Sequence, residues 1–427
     1  MSKIKIKNFG PIKEGMLDND GWIDVKKVTV FIGNQGSGKS TVAKLISTFT
    51  WIEKALTRGD FDIEYFERKD VFMKYCAYHK IDHYFEYFKT SKLSEIEYFG
   101  DSFHIVYSGR HLKIGENKNN SYKLPQIMYV PADRNFLSTV DDLKSQRIFS
   151  PSLVELLAEM QKATKQIKGD LKLPINDVDL EYDKAQDLLN IKGEDYKIRL
   201  SESSSGFQSL VPLYLTTWFL ANSVKRKSEN TNHPMSIDES ERFRKEFADI
   251  YINDSLTYEQ KRIAVSVLSS KFNKTAFINI VEEPEQNLFP TSQQQMLNSL
   301  LEFNNMSKGN KLIMTTHSPY LINYLTLAIQ AEFLLKKIDK QPDNVNDSAA
   351  KHNLGFKSFK ERVNDIVPVK SVISFNDVAI FELNETKGII NKLSTYEGIP
   401  SDKNYLNKSI RKGNEMFDSL LAIEEEL

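Results

Sequence analysis

Strict alternation opens the chain: Ile4 and Ile6 sit between Lys3, Lys5 and Lys7, the two-residue period of a strand. Turn formers then interrupt, first Asn8-Phe9-Gly10-Pro11-Ile12 and then Asp18-Asn19-Asp20-Gly21. An apolar β-branched run follows, Val28-Thr29-Val30-Phe31-Ile32, and from Thr41 the spacing becomes helical. Across 61–99 aromatic and charged residues recur every three or four positions, which predicts helices, and 103–107 predicts a strand. This aromatic stripe reads as core, with an exposed partner-binding face as the alternative. A strand at 127–130 breaks at Pro131; helices are predicted over 152–168 and a hairpin through 190–196. The serine-rich stretch 201–209 leads into an amphipathic helix, then a polar loop over 225–237, a charged helix over 239–251 and a further helix before Lys274. Two apolar strands, 276–281 and 311–315, each run into a polar cluster. Finally, 370–383 alternates as a strand and 404–426 reads as a closing helix.

These patterns divide the chain into a core segment at 1–50, an aromatic-rich insertion at 51–120 and a helical lobe at 121–270. The core returns at 271–335, and a C-terminal α/β extension covers 336–427. A length of 427 residues suits two or three subdomains. The net charge of −1 offers no general basic field for nucleic acid, so such a contact would need a local groove. Cys76 is the only cysteine, which excludes an intramolecular disulfide and a cysteine-rich zinc site, and makes a cytoplasmic compartment the default. The amino terminus lacks the apolar core of a signal peptide, and the longest apolar stretch, 210–220, is too short to span a bilayer. No membrane association is expected. His79 and His83 lie four apart, but without a further ligand they read as a partly exposed polar pair.

Chemistry concentrates at four points. Gly33-Asn34-Gln35-Gly36-Ser37-Gly38-Lys39-Ser40 followed by Thr41 fits G-x-x-x-x-G-K-[ST] between a strand and a helix. Such a loop turns its N–H groups into one concavity at a helix N-terminus and suits a polyphosphate. Lys39 would reach the outer phosphates and Ser40 would bind Mg²⁺, so a nucleoside triphosphate is the expected ligand. Glu282 and Glu283 end one strand, where a first acid can steady Mg²⁺ and a second can polarise water. His317 follows another strand and could hold that water in line. Alone, 203–209 reads as a linker.

The order of these parts resembles the ABC-type ATPase head, in its RecF/SMC-like branch and closest to the stand-alone OLD-like ATPases of bacterial anti-phage operons. The residues that carry the resemblance are Asn8-Phe9-Gly10-Pro11-Ile12, Tyr129-Val130-Pro131-Ala132-Asp133-Arg134, Glu282-Glu283-Pro284-Glu285 and Thr316-His317-Ser318-Pro319. It implies an α/β P-loop NTPase fold with a helical signature lobe and inserted segments. It also implies a Walker A site of Gly33, Asn34, Gly36, Ser37, Gly38, Lys39, Ser40 and Thr41. Glu282 becomes the Walker B acid, Glu283 the water-activating carboxylate and His317 the switch histidine. Ser205, Gly206 and Gln208 take the signature positions that cap a partner's γ-phosphate, which implies a homodimer or higher homo-oligomer around ATP.

The chain departs from that pattern in places. Glu282 stands where many heads have aspartate, Asn287 and Phe289 where relatives often place histidines, and no Gln-loop is evident. Arg134 or Gln126 could sense the γ-phosphate instead. OLD-like nucleases carry a TOPRIM module near the C-terminus, whose spacing Asp339, Asp343, Asp377, Glu382 and Glu385 do not reproduce, so a nuclease would be another chain. Two readings follow for the task that hydrolysis drives. One is a sensor or scaffold controlling an effector protein encoded nearby, in anti-phage defence. The alternative is a RecF/SMC-like DNA-binding ATPase of repair or recombination, with Lys225, Arg226, Lys227, Arg242, Arg244 and Lys245 as the nearest cations. A transport ATPase stands third.

Overall fold

A computed structural model describes residues 2–85, 93–117, 122–138, 150–229, 237–253, 268, 275–340 and 358–425. The helix predicted before Lys274 and Asp343 lie outside these residues. Four strands pair in parallel around the phosphate loop: β4 (Val28–Gly33), β8 (Pro125–Val130), β13 (Ala276–Glu282) and β14 (Lys311–Thr316). With β2 (Gly15–Met16), β15 (Val378–Asn384) and β16 (Ile389–Lys392) they form a seven-stranded sheet in the order β2-β16-β15-β4-β14-β13-β8. Every residue of β4 and β13 is buried, which is why both read as continuous apolar runs rather than alternations. Val28, Val30 and Ile32 face one core with α4 (Pro151–Thr164) and α5 (Ser205–Glu229), while Phe31 faces the other with α1 (Lys39–Arg58). The result is the layered α/β architecture expected, helices against both sheet faces.

The segment drawn as an insertion is built into the fold. β1 (Lys3–Lys7) and β3 (Ile23–Asp24) join β5 (Glu95–Phe99), β6 (Phe103–Ser108) and β7 (His111–Glu116) in one antiparallel sheet, with β1 pairing directly with β5. Glu53 of α1 fastens that sheet: its buried carboxylate accepts from Tyr98 Oη at 2.9 Å, Ser102 N at 2.6 Å and Phe103 N at 3.3 Å. Burial pushes this carboxyl up, against the pull of those donors. Phe66 and Phe72 are buried, and Phe49 packs against Phe72 and Tyr98 at 5.0 and 5.5 Å. Phe61, Tyr65, Tyr75, Tyr84 and Phe85 are partly buried and pack against that core.

Three other expectations change. The strand placed over 370–383 is two 3-10 turns, Val369–Ser371 and Phe375–Asp377, followed by β15, because Ser374, Asn376 and Asp377 favour turns. That strand is no appendage: it pairs in parallel with β4, Phe381 beside Phe31. The polar loop placed over 225–237 begins later, since α5 continues to Glu229 on residues with good helix propensity. His79 is not a half-exposed partner of His83; it is buried with its ring 4.4 Å from that of Tyr129. Burial, with help from Lys44, holds its pKa down to about 3, so it is neutral. No described helix is long and apolar enough to cross a membrane.

Candidate nucleotide site

The parallel strands bring their carboxyl ends to one edge of the sheet, where open α/β sheets bind ligands. β4 enters the loop at Gly33 and α1 leaves it at Lys39. Gly33 has φ +147° with the carbonyl of Leu383 so near that a Cβ would lie 2.4 Å from it; Gly38 has φ +100°. Neither conformation suits an L side chain, so both glycines are set by the backbone path. Lys39 folds back and donates to Gly33 O at 2.9 Å and Asn34 O at 2.8 Å. Ser37 Oγ is buried with no hydrogen-bond partner, an unsatisfied polar atom inside the loop. Burial lowers the Lys39 pKa to about 8, although Glu283, Glu285, Glu385 and Glu282 all favour its charged form. Thr41 is buried beneath the loop, while Ser40 is half-buried in the first turn.

Above the loop lies an acid–imidazole pair. His317 stands between the two key charges: Nδ1 is 3.5 Å from Lys39 Nζ, and Nε2 is 3.2 Å from Glu283 Oε1. That hydrogen bond is the main reason the Glu283 carboxyl stays below its ordinary range, with lesser help from the Lys39 and Arg134 charges. Glu283 itself has φ +43°, held by its N–H donating to Thr315 O at 2.9 Å. A glutamate in the left-handed region is strained, a feature concentrated at functional sites. Glu282 is turned differently: Oε1 accepts from Tyr129 Oη at 2.6 Å and Oε2 from Ala132 N at 3.2 Å.

Sequence reasoning missed the residues that aim this pair. Glu285 Oε1 accepts from Thr316 Oγ1 and from His317 N, both at 2.7 Å, fixing the backbone that presents the imidazole. Tyr129 orients Glu282. Glu385 accepts from Asn34 Nδ2 at 3.0 Å, reaching the loop because β15 pairs with β4. A third acid in Glu-Glu-Pro-Glu was a visible signal for Glu285. Glu385, far away along the chain, offered none.

The signature positions separate in role. Ser205 is exposed in the first turn of α5, and Gly206 packs so closely on Asn287 O that a Cβ would lie 3.0 Å from it. Gln208 turns inward, donating from Nε2 to Ser201 O and Ser203 O at 2.9 Å each, so it braces the loop rather than presenting itself to a ligand. Arg134 is also placed otherwise than as a phosphate sensor. It is fully buried, with Nε donating to Ser209 O at 3.0 Å, Nη1 to Glu282 O at 2.7 Å and Nη2 to Glu283 O at 2.8 Å. It clamps α5 to the acid-bearing strand end because a buried guanidinium must spend its donors on nearby carbonyls. Gln126 is the second residue of β8, opposite Phe277, at the end of the strand remote from Glu282. Among the cations considered for DNA, Arg242 pairs with Asp60, Arg226 Nε donates to Asn222 O at 3.3 Å, and the side chain of Lys227 is outside the described residues.

The loop fits a polyphosphate: it has a buried cation, an unpaired hydroxyl and a glycine-built path. Ser40 and Glu282 are the groups that could hold Mg²⁺. Among the described residues no cluster of three or more His, Cys, Asp or Glu could hold a metal. The Lys39 shift has a consequence for binding. A bound phosphate raises the lysine pKa above its free value of about 8, so affinity is full below pH 8 and falls above it. The expected loss is up to about tenfold per pH unit until the bound-state pKa is reached. Calorimetry at pH 8.5 in two buffers of different ionisation enthalpy checks this; proton uptake on binding is expected.

Residues 255–322, which include Glu282, Glu283 and His317, match the family model described as AAA ATPase domain. No curated protein matches the chain. Among solved structures, the SMC head domain from Thermotoga maritima is similar over 75% of this chain and 90% of that one, at 13% identity and a TM-score of 0.33. An Smc head domain with an extended coiled coil from Pyrococcus furiosus is similar over 97% and 100%, at 10% identity and 0.34. A dimeric bacterial ABC transporter cassette is similar over 76% and 91%, at 12% identity and 0.24. The fold is α/β, with the phosphate loop and sheet of a P-loop NTPase.

Proposed function

We propose that the chain is an ATPase that closes as a homodimer around ATP, one copy supplying the lysine-bearing loop and the other its Ser205–Gly206 turn. One observation carries the hydrolytic part of this reading: Lys39, His317 and Glu283 form a connected row at the sheet edge. Lys39 holds the outer phosphates. Glu283, kept ionised, takes the proton of the attacking water as the new P–O bond forms and the ADP oxygen leaves. His317 hydrogen-bonds Glu283 and faces the same space as Lys39, which suits it to keep that water in line. Mg²⁺, when bound by Ser40 and Glu282, supplies neutralising charge to the phosphates. Glu285 and Arg134 do no chemistry; they hold His317 and the two acids in register.

Assembly and release driven by this cycle would control a protein effector, in the anti-phage setting that the resemblance implies. The net charge of −1 and the pairing of Arg242 with Asp60 support a protein partner over DNA. Complementation tests the shared site. Lys39→Ala and Ser205→Arg each lack hydrolysis alone. Co-expressed, they form mixed dimers in which one site has an intact loop and an intact turn. About a quarter of wild-type turnover is expected, because half of the dimers are mixed and each has one good site of two. No recovery in a verified mixed dimer would refute the shared site.

A further inference from the structure

The parallel strands that carry the nucleotide site at their carboxyl ends border a cavity at their amino ends. Along β4 the two edges are about 17 Å apart, at roughly 3.3 Å per residue. The cavity has a volume of about 530 Å³, within the range of small-molecule sites. Five lysines line it, brought together from three separate stretches by the parallel pairing. Lys26 and Lys27 lead into β4, Lys123 leads into β8, and Lys308 and Lys311 flank the turn at the start of β14. Gly309 in that turn leaves room for the Lys123 stem: a Cβ there would lie 2.8 Å from Lys123 Cδ. Three acids share the lining, Glu53, Asp101 and Asp377, and Glu53 is already engaged by Tyr98, Ser102 and Phe103. The lining is therefore locally positive in a chain whose net charge is −1.

The three partly buried lysines spend their hydrogen bonds on uncharged acceptors. Lys26 Nζ donates to Asn376 O, Lys27 Nζ to Asn305 Oδ1 and Lys311 Nζ to Ser2 Oγ, each at 2.8 Å. Acids attract them through space: Asp24 and Asp377 act on Lys26, Asp377 on Lys27, and Asp101 and Glu53 on Lys311. Burial outweighs that attraction and holds all three below the ordinary lysine pKa, with Lys392 adding to the effect at Lys26. Ammonium groups desolvated around one space are costly, and an anion entering that space offsets the cost.

We propose that this cavity binds a small, multiply charged phosphate compound, at a site separate from the phosphate loop. Several ammonium groups converging on one space suit several phosphate oxygens, each lysine acting as a compact point charge. Ile46, Ile278 and Ile313 in the same lining suit an organic group attached to the phosphate. A nucleic-acid duplex fits less well. It needs an open basic face of about 600–1,000 Å² even for a small module, and of the five lysines only Lys123 and Lys308 are exposed.

The site does not depend on the ATPase reading, and titration calorimetry of the full chain tests it. With saturating ADP present to fill the phosphate loop, inorganic pyrophosphate or fructose 1,6-bisphosphate should occupy one further site. Tighter binding of the bisphosphate identifies a phosphate ester, and tighter binding of pyrophosphate a free polyphosphate. Lys27→Gln with Lys311→Met should weaken that binding about ten- to a hundredfold, the loss expected for hydrogen bonds to charged groups. ADP affinity and unliganded thermal unfolding should match wild type, because glutamine can still donate to Asn305 and methionine keeps the buried stem. Lys123→Gln, an exposed change that leaves the core untouched, should weaken the same binding a few-fold, and Lys39→Ala should leave it within twofold. Three results would each overturn the proposal: no heat from either anion at millimolar concentration, binding indifferent to the lysine substitutions, or a DNA duplex that displaces both anions and binds more tightly.

Discussion

Glu283→Gln is expected to bind ATP and fail to turn it over, with kcat reduced by about 10²–10⁴-fold, the range for loss of a positioned base. The amide has nearly the same shape and can still accept from His317 Nε2, so the 3.2 Å contact survives when the imidazole donates. What it cannot do is take the water's proton. Because the reduction falls on chemistry rather than binding, ATP stays in place and the closed dimer accumulates instead of cycling. Gel filtration with light scattering should show an ATP-dependent assembly that persists in this variant and decays in wild type. Since Glu283 is held in the left-handed region by local contacts, Glu283→Ala is a poorer probe: it removes the His317 partner as well. Normal hydrolysis by Glu283→Gln would remove this residue from the catalytic role.

Lys39→Ala should lose at the earlier step. Its ammonium is the one cation among the described residues that donates to the loop carbonyls of Gly33 and Asn34, and a phosphate oxygen would compete for those donors. Hydrogen bonds to charged groups contribute about 1.5–3 kcal/mol, so nucleotide affinity should fall about ten- to a hundredfold and turnover should vanish. Lys39→Arg should not rescue. The guanidinium is longer and planar, and the buried pocket accommodates a compact ammonium. Fluorescent nucleotide titration with magnesium checks the affinity. Binding within twofold of wild type would place the phosphate site elsewhere.

Much of this site could be read before any fold was known, for a local reason. Gly33, Gly38, Lys39, Ser40 and Thr41 are neighbours in sequence, and the strand–loop–helix that presents them is set by glycine backbone freedom and flanking periodicity. Glu282, Glu283 and His317 were legible because each ends an apolar strand. Arg134 and Gln126 were misread because spacing says nothing about the end of a strand at which a side chain emerges, or about which carbonyls surround it. Gln208 was likewise assigned to a ligand, though its amide closes its own loop.

The larger boundaries failed in the same way. A segment with its own aromatic composition reads as an insertion, yet β5 pairs with β1, and Glu53 ties the pair to the helix that follows the phosphate loop. A strand far from β4 in the chain reads as an extension, yet it lies beside β4 and delivers Glu385 to Asn34. By itself the sequence located the glycine-built loop and the acid-bearing strand ends, because their geometry arises from hydrogen bonds and dihedral preferences spanning a few residues. Only the tertiary structure decided that these stretches meet and that Tyr129 and Glu285 aim them. Strand order and the burial of long-range polar partners depend on packing the whole chain at once, which no local pattern encodes.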